Sequence, residues 1–156
     1  MEDQSRIVEA QMLIRKPAAE VFQAFIDPEI TKHFWFTRSS GSLEEGRAIT
    51  WEWEMYDVST QVVVKKITPP NKIVIEWGEP ATTVEFIFKP VTADSTYVII
   101  KNFGFDQPVQ ELLALFKDLT GGFTTVLDGL KAYMEHNINL NLIADKFAAG
   151  DTPHKD

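Results

Sequence analysis

The feature that most constrains the fold is a block from Phe36 to Phe105 that lacks helical periodicity. Short runs rich in Val, Ile, Thr and aromatic residues are separated there by turn-forming stretches such as TPPN at 68–71 and GEPA at 78–81. This pattern predicts five or six antiparallel strands. Because a chain of 156 residues has the usual size of one domain, we expect a single domain with its core over about residues 6–147 and a loose tail at 148–156.

Two different patterns precede this block. Apolar and polar residues alternate from Arg6 to Ile14, which predicts a first strand. Apolar residues at helical spacing then predict a helix that begins near Pro17 and stops at the DPE stretch, 27–29. A second short helix is expected from Pro28 to about Phe34.

Helical periodicity returns after Asp106 and predicts a long amphipathic helix at the C-terminal end of the domain. Gly121 and Gly122 interrupt it, and each costs about 1 kcal/mol relative to Ala inside a helix. We therefore expect a kink or a break there, with Thr120 available to cap the second piece. The order of strand, two helices, antiparallel strands and long helix predicts an α+β fold.

The predicted sheet has one strongly apolar face. Side chains alternate along a strand, so the stretch WEWEMY at 51–56 separates two sets of residues. One set is Trp51, Trp53 and Met55, and the other is Glu52, Glu54 and Tyr56. The first set is predicted to face inward with the apolar residues of two later strands, 73–77 and 84–88. If the faces are reversed, the second set supplies polar groups to the interior instead.

Charge and composition exclude several classes of partner. The chain carries 15 Lys and Arg against 23 Asp and Glu, a formal charge of -8, and no basic run. Nucleic acids and anionic membrane surfaces both require clustered positive charge, so neither is an expected partner. The acidic start MEDQSRIVEA and the lack of an apolar stretch of about 20 residues predict a cytoplasmic protein without membrane insertion.

No constellation typical of catalysis is present. The histidines at 33, 136 and 154 lack the spacing of a zinc site, and no cysteine is available as a nucleophile or metal ligand. Phosphate-loop and dinucleotide fingerprints are absent as well, so we predict no catalytic residue, no metal and no cofactor. Glu52 and Glu54 would lie roughly 7 Å apart on one strand, but like charges opposite the tryptophans favour a solvated surface.

Several segments in fixed order resemble one known superfamily. They are AEVFQAFIDPEITKHFW, LEEGRAITWEWEMY, IVIEW, TTVEFIFKP, STYVIIKNFGF and GGFTTVLDGLKAYMEHNINLNLIADKF. Their sequence and order resemble the START-like (SRPBCC) superfamily, in particular the branch similar to the activator of the heat-shock chaperone ATPase. The resemblance extends from about Ile7 to Phe147.

The resemblance implies a helix-grip fold, in which a curved antiparallel sheet wraps around the long C-terminal helix and encloses a cavity. It also implies that the cavity binds a small hydrophobic or aromatic molecule that is lipid-like, polyketide-like or flavonoid-like. Asn102, before FGF, is expected to orient the ligand with its amide, and Trp35 lies where relatives have the entrance. The predicted ligand-binding residues are Trp35, Trp51, Trp53, Met55, Ile75, Trp77, Phe86, Asn102, Phe123, Leu127 and Leu130.

Two other functions follow from the same resemblance. One is a protein-interaction module homologous to a chaperone ATPase activator, which would act through exposed side chains. The other is a polyketide cyclase or aromatase, which would need an inward-facing acid or base that the sequence does not assign. Apolar residues after the main helical stripe, in 138–143, are expected to pack on the sheet edge or on a second subunit in a homodimer.

Overall fold

The computed structural model describes residues 6–147, so the predicted tail at 148–156 lies outside the described residues. The elements are β1 (Val8–Ile14), α1 (Ala18–Ile26), α2 (Pro28–Thr31), β2 (Arg38–Ser39), β3 (Ala48–Trp53), a 3-10 turn (Glu54–Tyr56), β4 (Val58–Thr68), β5 (Lys72–Trp77), β6 (Thr82–Thr92), β7 (Ser95–Phe103), α3 (Val109–His136) and α4 (Leu142–Asp145). In this part of the chain, every helix is too short or too polar to span a bilayer.

The strands form one antiparallel sheet in the order β1-β7-β6-β5-β4-β3-β2. Consecutive strands from β2 to β7 are neighbours, and β1 pairs with β7, the last strand. The sheet is curved and α3 packs on its concave side, which confirms the predicted α+β helix-grip fold. Alternation places the apolar residues of each strand on that side, as in Ile73 and Ile75 of β5, which are both 0% exposed.

The two short helices follow β1 as predicted, although the second is shorter than expected. The Asp27 side chain accepts a hydrogen bond from the Glu29 amide at 2.9 Å and caps the start of α2. The helix ends at Thr31 instead of near Phe34. The chain then turns inward, because Phe34, Trp35 and Phe36 are all buried and an α-helix would direct three successive side chains to different sides.

The strand prediction was wrong beyond Trp53. β3 ends there, and the next three residues form the 3-10 turn, which closes with Asp57 in a left-handed conformation (φ 54°). Met55 therefore does not share the inward face with Trp51, and its side chain is 41% exposed. The alternation of large and charged residues continued past the point where the backbone changes direction.

The predicted break at Gly121 and Gly122 was also wrong, since α3 is one continuous helix of 28 residues. Both glycines lie inside it. Phe123 and Leu127, just after them, are 2% and 0% exposed, so burial of the apolar stripe outweighs the poor helix propensity of two glycines.

The C-terminal half of α3 is fixed against β1 and the segment after α2. The Lys131 amine donates to the Leu13 carbonyl at 2.8 Å, and a Glu135 carboxylate oxygen accepts from the Arg15 amide at 2.8 Å. At Gly129 the helix approaches Phe34 so closely that a Cβ would lie 3.3 Å from the Phe34 carbonyl oxygen.

The N-terminal half of α3 is packed far less tightly. Of the six buried residues of α3, only Leu112 precedes Phe123. The helix is therefore held at one end, and at the other end it leaves space between itself and the sheet.

Candidate ligand-binding cavity

A cavity of about 480 Å³ lies between the sheet and the N-terminal half of α3. Strands β3 to β7 contribute to its wall on one side, and Leu115, Leu119, Gly122 and Phe123 of α3 contribute on the other. The end of the chain around α4 also lines it through Ile143 and residues 146–147. Its size falls in the range of about 300–1,000 Å³ that is typical of small-molecule sites.

Aromatic side chains form the floor of the cavity. Trp35 lies among them, with its ring centroid 6.0 Å from that of Trp77, 6.4 Å from Trp53 and 6.5 Å from Phe123. Trp77 and Phe123 stack on each other with centroids 5.8 Å apart. The cavity therefore offers large, rigid apolar surfaces on both the sheet and the helix.

Five of the residues predicted to bind ligand line this cavity: Trp35, Trp53, Trp77, Asn102 and Phe123. Another five lie in the core and do not reach the cavity wall: Trp51, Ile75, Phe86, Leu127 and Leu130, each at most 2% exposed. Met55 lies apart from both groups, beside a smaller cavity of about 90 Å³.

Trp51 shows why alternation alone does not separate wall from core. Its ring lies 4.9 Å from Trp35 and 4.9 Å from Phe36, between centroids. Trp35 therefore covers Trp51 on the cavity side. The residue that decides which tryptophan reaches the cavity comes from the segment after α2, not from the strand itself.

Tyr56 lines the cavity, although strand alternation predicted it on the outward face with Glu52 and Glu54. The 3-10 turn brings Tyr56 to the cavity, where its hydroxyl donates to the Ile143 carbonyl at 2.5 Å and lies 3.2 Å from the Ala144 carbonyl. Its ring also makes an edge contact with Phe147 at 5.9 Å. Tyr56 thus holds the segment around α4 over one side of the cavity. A 3-10 turn directly after a regular alternation leaves no clear sequence signal.

The two strand glutamates do not face the cavity. Glu52 pairs with Arg38 across β2 and β3 at 2.9 Å, and hydrogen bonding to Glu52 raises the pKa of Arg38. Glu54 is exposed in the 3-10 turn. Neither carboxylate lines the cavity, although the Glu52 side chain is only 32% exposed.

Asn102 is a buried polar residue in the cavity wall, with 1% of its surface exposed. Its side-chain nitrogen donates to the Thr82 hydroxyl at 3.0 Å and to the Thr83 carbonyl at 2.8 Å. A backbone carbonyl only accepts hydrogen bonds, so these contacts fix which end of the amide is the nitrogen. Among the residues that the structure describes, the Asn102 Oδ1 has no hydrogen-bond partner.

Charged residues occupy the exposed part of the cavity wall, which we call the rim. It contains Glu79, Asp106, Asp118 and Lys146, all of them exposed. The rim thus contains three carboxylates and one ammonium group. The rim adds a negative field to a cavity whose interior is mainly aromatic and aliphatic.

The curved sheet, the long helix and the cavity between them define a START-like (SRPBCC) domain. A model of the family described as "Activator of Hsp90 ATPase homolog 1-like protein" matches residues 15–135. The chain belongs to that family.

Solved structures share this fold. Protein SSP2350 from Staphylococcus saprophyticus is 28% identical with a TM-score of 0.76, and the match covers 86% of this chain and 95% of that protein. The Aha1 dimer from Colwellia psychrerythraea is 16% identical with a TM-score of 0.72, over 83% of this chain and 96% of that one. DynU16, a protein of the dynemicin biosynthetic locus, is 17% identical with a TM-score of 0.76, over 86% of this chain and 49% of that one. No curated protein sequence matches this chain.

Proposed function

We propose that this protein binds a small hydrophobic or aromatic molecule in the cavity between the sheet and α3. The observation that carries the proposal is the aromatic cavity of about 480 Å³. The cavity is open to solvent on one side and is lined mainly by apolar side chains. Concave sites of about 300–1,000 Å³ with such a lining are typical of small-molecule binding.

The residues around the cavity supply the two components of a ligand site. Trp53, Trp77 and Phe123 offer apolar surface, and removal of such surface from water contributes about 25 cal/mol per Å² to binding. Thr60 and Thr82 add hydroxyl-bearing side chains to the wall. Sites for small molecules typically combine a mostly apolar lining with a few such groups.

Gly122 supports the proposal from the side of the helix. It lies inside α3, where glycine costs about 1 kcal/mol relative to alanine. A Cβ built on Gly122 would meet no atom within 4 Å, so packing does not require glycine there. Gly122 lines the cavity, and its missing side chain enlarges the space for a ligand.

Substitution of Gly122 by leucine tests the proposal with little damage to the core. The leucine side chain would project into the cavity and compete with the ligand for space. Ala114→Leu is the control, since Ala114 is exposed on the same helix and is not part of the cavity wall. A ligand found by thermal-shift screening of aromatic and lipid-like compounds should bind the control and fail to bind Gly122→Leu. Equal binding by both variants would contradict this site.

A protein-interaction role is the second candidate function. It is favoured by exposed apolar side chains beside the smaller cavity, where Met55 is 41% and Leu140 is 50% exposed. The family description names a chaperone ATPase activator, and one structural relative is a dimer. An activating effect on a chaperone ATPase that persists in Gly122→Leu but is lost in Met55→Glu would favour this role over ligand binding.

Turnover of the ligand is a separate hypothesis that the cavity does not require. A cyclase or aromatase would need an acid or base next to the substrate. Incubation of a bound aromatic precursor with the protein, followed by mass spectrometry for loss of water, would detect such a reaction.

A further inference from the structure

The large cavity and the smaller one of about 90 Å³ are separated by a common partition. Among residues 6–147, two residues line both spaces, Trp35 and Ile143. Trp35 comes from the segment after α2, and Ile143 comes from α4. Two segments that are far apart in the chain therefore build the partition.

Trp35 is the rigid half of the partition. It is 6% exposed, and its ring centroid lies 4.9 Å from that of Trp51 and 5.9 Å from that of Phe86. Displacement of so large a side chain would leave a void among packed aromatic rings, and protein interiors tolerate such voids poorly. Trp35 thus determines where the partition stands.

Ile143 is the adaptable half. It belongs to a helix of four residues, is half-buried and packs against the core from outside it. Its carbonyl accepts the hydrogen bond from the Tyr56 hydroxyl, which fixes the backbone beside the cavity. Residues 137–141, just before α4, are all exposed. A change of the Ile143 side chain would therefore alter the partition with little effect on the core.

We infer that Ile143 sets the length of the ligand. This inference rests on the proposed function. A ligand body that lies against Trp77 and Phe123 and fills the large cavity ends at the Ile143 side chain. A longer molecule leaves its additional length in water on the open side of the cavity, where that length adds little to affinity. The site therefore selects molecules whose apolar part fits the large cavity alone.

Removal of the Ile143 side chain should join the two spaces. The smaller cavity has a mixed lining, with apolar Phe34 and Leu140 beside polar His33 and Asn139. A ligand chain that passes the partition would thus be only partly removed from water. Its extra methylene groups should each contribute about half as much to affinity as those in the aromatic cavity.

A homologous series of p-alkylphenols, from ethylphenol to octylphenol, tests the inference. Dissociation constants can be measured by tryptophan fluorescence, since Trp35, Trp53 and Trp77 line the large cavity. Affinity should rise about fourfold for each methylene that becomes buried and then level off at the chain length that reaches the partition. In Ile143→Ala the rise should continue to longer chains, at about twofold per additional methylene.

Ile138→Ala is the matched control. Ile138 precedes α4, is 49% exposed and lies outside the lining of both described cavities. Its affinities should level off at the same chain length as those of the unsubstituted protein.

The outcomes separate this inference from the proposed function. If affinity levels off at the same chain length in Ile143→Ala, the inference is overturned and a hydrophobic site remains. Failure of every alkylphenol, with binding of another screened compound, would also overturn it, because no alkyl chain would then end at Ile143. Failure of the alkylphenols and of every compound in the thermal-shift screen would contradict the proposed function itself.

A measurement on the unsubstituted protein covers the case in which Ile143→Ala does not fold. The δ1-methyl group of Ile143 can be observed by NMR after labelling of isoleucine methyl groups with carbon-13, and the spectrum of the milder variant Ile143→Val assigns its resonance. This resonance should shift strongly once the alkyl chain is long enough to reach the partition, and little with shorter homologues. Equal shifts at all chain lengths would contradict contact between the chain end and Ile143.

Discussion

Trp77 of β5 and Phe123 of α3 stack with their ring centroids 5.8 Å apart and their planes 19° apart. Both residues line the cavity, so the contact joins the sheet to the helix where the two begin to separate. It also fixes two flat apolar surfaces next to the space for a ligand.

Replacement of Trp77 with alanine should weaken binding of an aromatic probe about tenfold. Loss of about 60 Å² of apolar contact, at about 25 cal/mol per Å², amounts to about 1.5 kcal/mol. Calorimetric titration with an aromatic ligand found by the thermal-shift screen measures the effect. Lys72→Ala is the control, because Lys72 lies on the same strand with a 43% exposed side chain and forms a surface ion pair with Glu85. A folded Trp77→Ala protein with unchanged affinity would count against this wall of the cavity.

Substitution of Gly122 by alanine should raise the free energy of unfolding by about 0.5–1 kcal/mol. Alanine is the better helix former, and its Cβ would enter open space. Gly129→Ala has the same gain in propensity but would place a Cβ 3.3 Å from the Phe34 carbonyl oxygen. Urea denaturation should therefore show Gly122→Ala to be the more stable variant, and the reverse order would contradict the described packing of α3.

Tyr56→Phe should loosen the segment around α4. The substitution removes the hydroxyl that donates to the Ile143 carbonyl at 2.5 Å, and such a bond contributes about 1 kcal/mol. The edge contact with Phe147 is retained, so the ring stays in place. Hydrogen exchange at residues 142–147 should become faster while exchange in β6 and β7 is unchanged. Ligand dissociation should also become faster, and identical exchange in this segment would show that the hydroxyl does not hold it.

The ion pair at the C-terminal half of α3 predicts a specific pH dependence. Burial alone would raise the pKa of Glu135, but hydrogen bonds from Lys131 and the Arg15 amide outweigh it and lower that pKa below the ordinary 4.5. The ionised carboxylate is therefore bound more strongly in the folded state. Its contribution to stability is present above about pH 4.5 and is lost as the pH falls through the lower folded pKa.

Glu135→Gln should accordingly destabilise the protein by about 1 kcal/mol at neutral pH. The difference in free energy of unfolding between Glu135→Gln and the unsubstituted protein should become smaller as the pH falls below 4.5, where the carboxylate becomes protonated. Urea denaturation at a series of pH values measures this. Glu9→Gln, an exposed change on β1, serves as the control. A difference that stayed constant with pH would show that the carboxylate charge is not responsible.

The order of the elements could be predicted from sequence because hydrophobic period depends mainly on local geometry. Alternation identified β1 and the run of strands, and helical spacing identified α1 and most of α3. The two clear errors, at Met55 and at Gly121–Gly122, have opposite causes. At Met55 the chain turned although the pattern continued, and at the glycines the helix continued although local propensity opposed it.

The position of the cavity could not be predicted from hydrophobic periodicity. The sequence placed Trp51 and Trp53 on one face of a strand, and both are directed to the concave side of the sheet. Only the packing of Trp35 over Trp51 decides that Trp53 lines the cavity and Trp51 does not. Contacts between residues far apart in the chain, such as that of Tyr56 with Ile143, leave no periodic signal.

The sequence by itself determined the class of fold, the apolar face of the sheet and the amphipathic stripe of α3, since each follows from local periodicity and burial. The tertiary structure decided where α3 approaches the sheet and where it stands away from it. Close contact at Gly129 and separation near Gly122 place the empty space at one end of the helix. A cavity is the volume that side chains fail to fill, and that volume depends on how distant segments pack together.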